Sequence, residues 1–338
     1  MKFIFIADLH LSGYSQDKIV ENLPERLNSI KNVLYEIADY AINNNIFTIV
    51  IGGDILHGKS IIHALAQSVM LEYFRNYNGK LQFVIIDGNH DLSGKGNDAI
   101  SALLSLDNEP NVKRIINPEV LWDKVLFVPY SFNMVDYIKE NKCKYLVSHF
   151  GLDEGMLNNG LSIVADISIT DLVGKYEYVL LGHYHKPQEI IRDDISLYYS
   201  GSLIQLDWGE KNEDKRFLVV DLETDNIESV NINNYVKYCE FILTEDNYED
   251  IIEKSKELKN NGHYVRLVKT DENIKTTKLE KEFVIIDKTE KDITNRNITS
   301  NMSLSDKCKK FLEIRDIDNI KHYKYLEVAR EIYEEYNY

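Results

Sequence analysis

Five apolar segments of strand length, each running directly into residues that bind metal ions, constrain this 338-residue chain more than any other feature. Phe3-Ile4-Phe5-Ile6 leads to Asp8-Leu9-His10, Thr48-Ile49-Val50-Ile51 to Gly53-Asp54, and Gln82-Phe83-Val84-Ile85-Ile86 to Gly88-Asn89-His90-Asp91. Tyr145-Leu146-Val147 leads to Ser148-His149-Phe150, and Tyr178-Val179-Leu180-Leu181 to Gly182-His183-Tyr184-His185. The segments are β-rich and unbroken by charge, the pattern of strands buried on both faces. A sheet collects the loops at the carboxyl ends of such strands on one edge, so motifs distant in sequence can converge.

Convergence is what a metal cluster needs. Asp carboxylates bridge and neutralise cations, neutral imidazoles bind borderline metals, and an Asn carbonyl adds a ligand without adding charge. The mixture suits Mn²⁺, Fe²⁺ or Zn²⁺ better than Ca²⁺. A lone Asp-x-His is a weak signal, because a His at a strand end is more often a hydrogen-bonded structural residue. Gly-Asn-His-Asp and Gly-His-x-His are more specific, and the five motifs together point to a dinuclear centre.

The order Asp-x-His, Gly-Asp, Gly-Asn-His-Asp, His, Gly-His-x-His resembles the calcineurin-like metallophosphoesterase superfamily. Ile55-Leu56-His57 after Asp54, Tyr198-Tyr199-Ser200-Gly201-Ser202-Leu203, and Asp207-Trp208-Gly209-Glu210 narrow the resemblance to the SbcD-type nucleases. That group includes the meiotic recombination eleven-like DNA double-strand-break repair nucleases. The nuclease-domain match covers roughly Met1 to Asp221, with a looser one to the C-terminus.

The resemblance implies an α/β fold, an α+β four-layer sandwich whose two-sheet core is flanked by helices, with a small α+β capping domain and a C-terminal helix pair. The expected division is a nuclease domain at 1–234, a DNA-capping domain at 235–287, a linker at 288–302 and a helix-loop-helix at 303–338. It places Asp8, His10, Asp54 and His185 on one metal, and Asp54, Asn89, His149 and His183 on the other, with Asp54 as the bridge. Two divalent cations, with Mn²⁺ expected, are the implied cofactors. His90 would stabilise the transition state or protonate the leaving 3′ oxygen, and His57 would orient the phosphate or His90. Asp91 reads as a supporting acceptor that fixes an imidazole tautomer. His63, His263 and His322 read as surface or helix histidines.

The function so implied is that of a DNA nuclease subunit of an SbcCD-like recombination and repair complex, hydrolysing phosphodiesters with two-metal-activated water. It would act as a 3′ to 5′ exonuclease on duplex ends and an endonuclease on single strands or hairpins. DNA and an ABC-type ATPase of the SbcC or RAD-fifty kind are the implied partners. Phe311, Leu312, Leu326, Ala329 and Ile332 form apolar stripes on two short helices that would dock on that ATPase. Helices at Ile61–Phe74 and Asp98–Leu106 would form a homodimer interface. Two alternatives stay open: a phosphatase or cyclic-nucleotide phosphodiesterase on the same fold, and a non-catalytic DNA-end-binding scaffold.

A net charge of -16 runs against the basic footprint usual for nucleic-acid binding. Two bound divalent ions would add positive charge where the scissile phosphate sits, so the chain's own affinity for DNA should be weak. Cys143, Cys239 and Cys308 are dispersed, which argues against a disulfide framework or zinc ribbon and fits a reducing cytoplasm. Met1 to Ala7 is too short for a signal sequence and is stopped by Asp8. Further along, helical spacing at Asn28–Asn43, a hairpin at Arg216–Asn231, and strand, helix and strand at Cys239–Leu243, Tyr248–Lys259 and Tyr264–Val268 are expected.

Overall fold

Alternation along the first strand, Lys2–Ile6, sets the layering. Phe3 and Phe5 enter one apolar cluster, while Ile4 and Ile6 enter another on the opposite face. The computed structural model describes residues 1–289, apart from 60, 95, 132, 158–164 and 166. All five apolar segments are strands, and they lie in two six-stranded sheets. In spatial order the first sheet holds Asn226–Ile232, Lys215–Asp221, Lys2–Ile6, Thr48–Ile51, Gln82–Ile86 and Val112–Ile115. The second holds Gln188–Arg192, Ile195–Tyr199, Tyr178–Gly182, Tyr145–His149, Val125–Val128 and Glu119–Leu121.

The two sheets face each other across Phe3, Phe5, Val50, Phe127, Tyr145 and Leu180. Outside the first sheet lie the helices Glu25–Asn43 and Ala64–Asn76, whose Ile30, Leu34, Val69 and Phe74 pack on Ile49 and Phe83. Outside the second lie Met134–Glu140 and Ile169–Leu172, covering Leu146 and Val179. The result is the expected four-layer sandwich, and it explains the unbroken apolar runs: neither face of these strands meets water. Each fully buried Phe, Leu or Ile side chain stabilises such an interior by about 1.5–3 kcal/mol.

Strand direction places the chemistry. Lys2–Ile6, Thr48–Ile51 and Gln82–Ile86 run parallel, as do Tyr145–His149 and Tyr178–Gly182. The motifs after them therefore emerge at the carboxyl edges of their sheets. The hairpin forms as expected, with Lys215–Asp221 antiparallel to Asn226–Ile232.

One expected helix does not form. Asp98–Leu106 is split between two short 3-10 turns, Gly96–Asp98 and Leu104–Asn108, around a two-residue strand, Ile100–Ser101, paired with Leu92–Ser93. Ser101 Oγ bonds Asp87 Oδ1 at 2.9 Å and accepts the Leu103 amide at 3.1 Å, local bonds that compete with a helical ladder.

The chain divides into two compact units, Met1–Cys239 with Leu258–Tyr264, and Glu240–Glu257 with the described residues from Val265 on. A three-stranded sheet of Tyr238–Leu243, Tyr264–Lys269 and Val284–Asp287 accompanies the helix Tyr248–Asn260. Val284–Asp287, parallel to Tyr264–Lys269, goes beyond the strand, helix and strand expected there. Its four residues are too few to carry a readable period. The expected helix pair at 303–338, with Phe311, Leu312, Leu326, Ala329 and Ile332, lies outside the described residues, as do 290–302 of the expected linker. Among the described residues no helix is long and apolar enough to cross a membrane.

Candidate metal centre

Asp8, His10, Asp54 and His183 hold left-handed backbone, at φ 54°, 49°, 53° and 100°. Such a conformation costs about 1–3 kcal/mol per non-glycine residue and persists only where its surroundings over-determine it. The loops bearing these residues are tied together: the Asp8 amide donates to Gly53 O at 3.1 Å, His10 to Asp54 O at 3.0 Å and Leu11 to Ile55 O at 2.9 Å. The His183 amide donates to both oxygens of Asp8, at 2.9 and 3.1 Å, joining the last motif to the first.

The seven expected ligands come together. His10 Nε2 and His185 Nε2 are 2.8 Å apart, and together with an Asp8 oxygen they form a set whose donor atoms all lie within 4.8 Å of one another. Asn89 Oδ1 lies 3.1 Å from His149 Nε2 and 3.2 Å from His183 Nδ1. Asp54 stands between the two groups. Its Oδ1 accepts the His90 amide at 2.8 Å, while Oδ2 lies 3.6 Å from His10 Nε2 and 3.3 Å from His149 Nε2.

The hydrogen bonding shows that this donor set fits cations. His149 Nδ1 lies 2.8 Å from the Gly52 carbonyl, which can only accept, so Nδ1 carries a proton. A neutral His149 then turns its Nε2 lone pair toward the oxygens of Asp54 and Asn89, a repulsive juxtaposition that a shared cation relieves. Without an ion, a proton on His149 Nε2 takes that place. Burial would raise Asp54, but the His149 charge and hydrogen bond outweigh it and hold the carboxyl far below its usual range. Burial works against a charged His149, yet Asp54 beside it brings the ring up to about 9. Burial, and next the His149 charge, push His183 down to about 3, and burial, then His185, also lowers His10. Asp54 is thus anionic and His183 and His10 are neutral, the forms that ligate metals, whereas His149 would give up its Nε2 proton to an ion.

His90 and His57 stand at the side of the cluster. His90 stacks on His57 with ring centroids 5.4 Å apart and meets His10 edge-on at 4.9 Å. Its Nδ1 donates to the His57 carbonyl at 2.8 Å, which leaves Nε2 for a substrate. His57 thus orients His90 through its backbone, while its own Nδ1 lies 3.2 Å from His10 Nδ1. Asp91 departs from expectation. It accepts the amides of Ile55, Leu56 and Gly88, at 3.2, 2.9 and 2.9 Å, so it fixes the backbone around Asp54 and touches no imidazole.

The sequence reading gave no role to Glu210, which is buried and faces His185 Nδ1 at 2.9 Å. The motif containing it was visible, but its partner lies 25 residues away. The glycines of the motifs matter for space. A methyl group at Gly88 would collide with the Asp54 amide and Oδ1, and one at Gly182 with the Gly52 carbonyl and His149. Gly88→Ala should therefore destabilise the fold by about 1–3 kcal/mol, measured by denaturant unfolding. His63 is exposed at the start of its helix and His263 accepts the Lys237 amide at 3.2 Å, both apart from the cluster; His322 lies outside the described residues.

Residues 1–187 match the sequence model of the family described as calcineurin-like phosphoesterase. The chain is 24% identical over 307 residues to the SbcD component of the nuclease SbcCD of Staphylococcus epidermidis, covering 78% of this chain and 77% of that one. It is 31% identical over 137 residues to the same component of the nuclease SbcCD of Staphylococcus saprophyticus, 39% and 35% of the two chains. To DNA double-strand break repair protein Mre11 of Archaeoglobus fulgidus it is 26% identical over 246 residues, 64% and 53% of the two chains. The chain thus spans about a third and about half of the last two relatives' lengths.

Proposed function

This chain belongs to the calcineurin-like phosphoesterase family, and from that premise we propose that it is a DNA nuclease of the SbcD type, dependent on two divalent metal ions. The placement of Asp54 Oδ2 between His10 Nε2 and His149 Nε2 carries the reading, because one anionic oxygen there can serve two cations. Asp8, His10, Asp54 and His185 would hold one ion, and Asp54, Asn89, His149 and His183 the other. When bound, such ions supply the Lewis-acid charge that phosphodiester hydrolysis needs.

The chain's own residues do the rest. Asp91 holds the loop that carries Asp54, through the Ile55 and Leu56 amides. His90, with Nδ1 bound to the His57 carbonyl, presents Nε2 to the phosphate. Water adds to phosphorus as the bond to the 3′ oxygen breaks. The leaving oxygen departs as an alcohol once protonated; His90 is placed to give that proton from Nε2 in its imidazolium form, and the proton shed by the attacking water restores it. The similarity to nucleases named SbcCD and to the repair protein Mre11 favours DNA as substrate. The cleavage we propose is exonucleolytic, 3′ to 5′, at duplex ends and endonucleolytic at single strands or hairpins. The purified chain with Mn²⁺ should degrade a labelled DNA duplex far faster than an aryl phosphate monoester, and EDTA should stop it. The opposite preference would make it a phosphatase.

We further assign 235–287 to capping the DNA, and 303–338 to docking on an SbcC-type ABC ATPase in the cytoplasm. Deleting Ser303 to Tyr338 should leave Mn²⁺-dependent cleavage within about twofold of the full chain. It should also abolish co-purification with the cognate ATPase. Co-purification at undiminished yield would place the docking site elsewhere. We also propose that the segments bearing the exposed Ile61, Leu65, Ile100 and Leu104 meet a second copy of the chain.

A further inference from the structure

The Nδ1 atoms of His149, His90 and His185 are each held by an acceptor oxygen, and the ties differ in kind. His149 and His90 bond the backbone carbonyls of Gly52 and His57, whereas His185 faces the carboxylate of Glu210. Glu210 is only 4% exposed. Its Oε1 takes the His185 contact, and its Oε2 meets Lys215 Nζ at 2.6 Å, Ser202 Oγ at 2.9 Å and the Leu206 amide at 3.2 Å. Lys215 is fully buried and also reaches the His185 carbonyl at 3.0 Å, Ser202 Oγ at 2.9 Å and Glu213 at 3.1 Å. Both ends of His185, ring and backbone, are thus held by one buried ionic network.

We propose that Glu210, braced by Lys215 and Ser202, is a positioning residue that fixes the Nδ1–H tautomer of His185 and so completes one of the two cation sites. An ionised carboxylate only accepts hydrogen bonds. The proton of a neutral His185 therefore sits on Nδ1, and Nε2 keeps its lone pair, 2.8 Å from His10 Nε2 where the first cation would lie. A carboxylate behind a ligating imidazole also makes it a stronger donor. The other site lacks this dependence, because the imidazole of His149 is set by the Gly52 carbonyl, which no substitution of a side chain removes.

Glu210→Gln keeps the shape and exposes the difference. An amide has a single acceptor oxygen, and Lys215, Ser202 and Leu206 supply three donors to claim it. Its NH₂ group then faces His185 Nδ1, which must become the acceptor, and the proton moves to Nε2, in the path of the metal.

The inference rests on the two-metal reading, and the test separates the two. Isothermal titration of metal-free protein with Mn²⁺ should give two equivalents for the wild type. Glu210→Gln should retain one equivalent unchanged and bind the second about 10- to 100-fold more weakly. Nitrogen-15 spectra of the metal-free wild type, which need no variant to fold, should show the neutral His185 ring protonated on Nδ1. Two undisturbed sites in a folded Glu210→Gln protein, or a wild-type proton on Nε2, would overturn the role of Glu210 and leave the two-metal reading standing. Fewer than two equivalents in the wild type would overturn both.

Discussion

Asp54→Ala should lower metal-dependent DNA cleavage by about 10³-fold or more, since the charge stabilisation at stake is several kcal/mol and each 1.36 kcal/mol is tenfold in rate. The substitution removes Oδ2, the oxygen lying 3.6 Å from His10 Nε2 and 3.3 Å from His149 Nε2. It also removes the acceptor of the His90 amide. Without a shared anion the two cations repel at close range, so occupancy should fall along with rate. Single-turnover cleavage and metal content, measured on the same preparation, check this. Substantial Mn²⁺-dependent cleavage by a folded Asp54→Ala protein would contradict the bridging role.

His90→Ala should behave differently, losing about 10²- to 10⁴-fold in rate while both metals stay bound. The distinction follows from which atoms of His90 are used. Its backbone amide holds Asp54 Oδ1 at 2.8 Å, and alanine keeps that amide. Its ring bonds the His57 carbonyl and stacks on the His57 ring, at the side of the donor set. Removing the ring therefore deletes the proton donor for the leaving oxygen while all seven assigned ligands stay in the chain. Anomalous scattering from crystals of the variant gives the occupancy directly, and loss of both ions would make His90 a ligand instead.

The layers of the fold were legible because the strands are buried on both faces and so lack polar residues, from Phe3-Ile4-Phe5-Ile6 through Tyr178-Val179-Leu180-Leu181. The residues of the candidate centre were legible because metal-binding types follow those runs at once. Their backbone was not. That Asp8, His10 and Asp54 adopt positive φ is imposed by amide bonds between loops, which no local pattern records. Glu210 was hidden for a related reason: its bond to His185 exists only after the chain has turned back through the strands between them. Asp91 was misassigned to an imidazole because adjacency in sequence suggested one, whereas its carboxylate turns inward to three amides. The region Asp98–Leu106 carries apolar residues at helical spacing, yet Ser101 and Ile100–Ser101 pairing commit it elsewhere.

The two-metal centre is tested most directly by crystals of the full chain grown with Mn²⁺ and measured at the manganese absorption edge. Two anomalous peaks are expected about 3.5–4 Å apart, with Asp54 Oδ2 between them. One peak should lie against Asp8, His10 and His185, and the other against Asn89, His149 and His183. A single peak, or two peaks of which neither touches Asp54, would contradict the assignment.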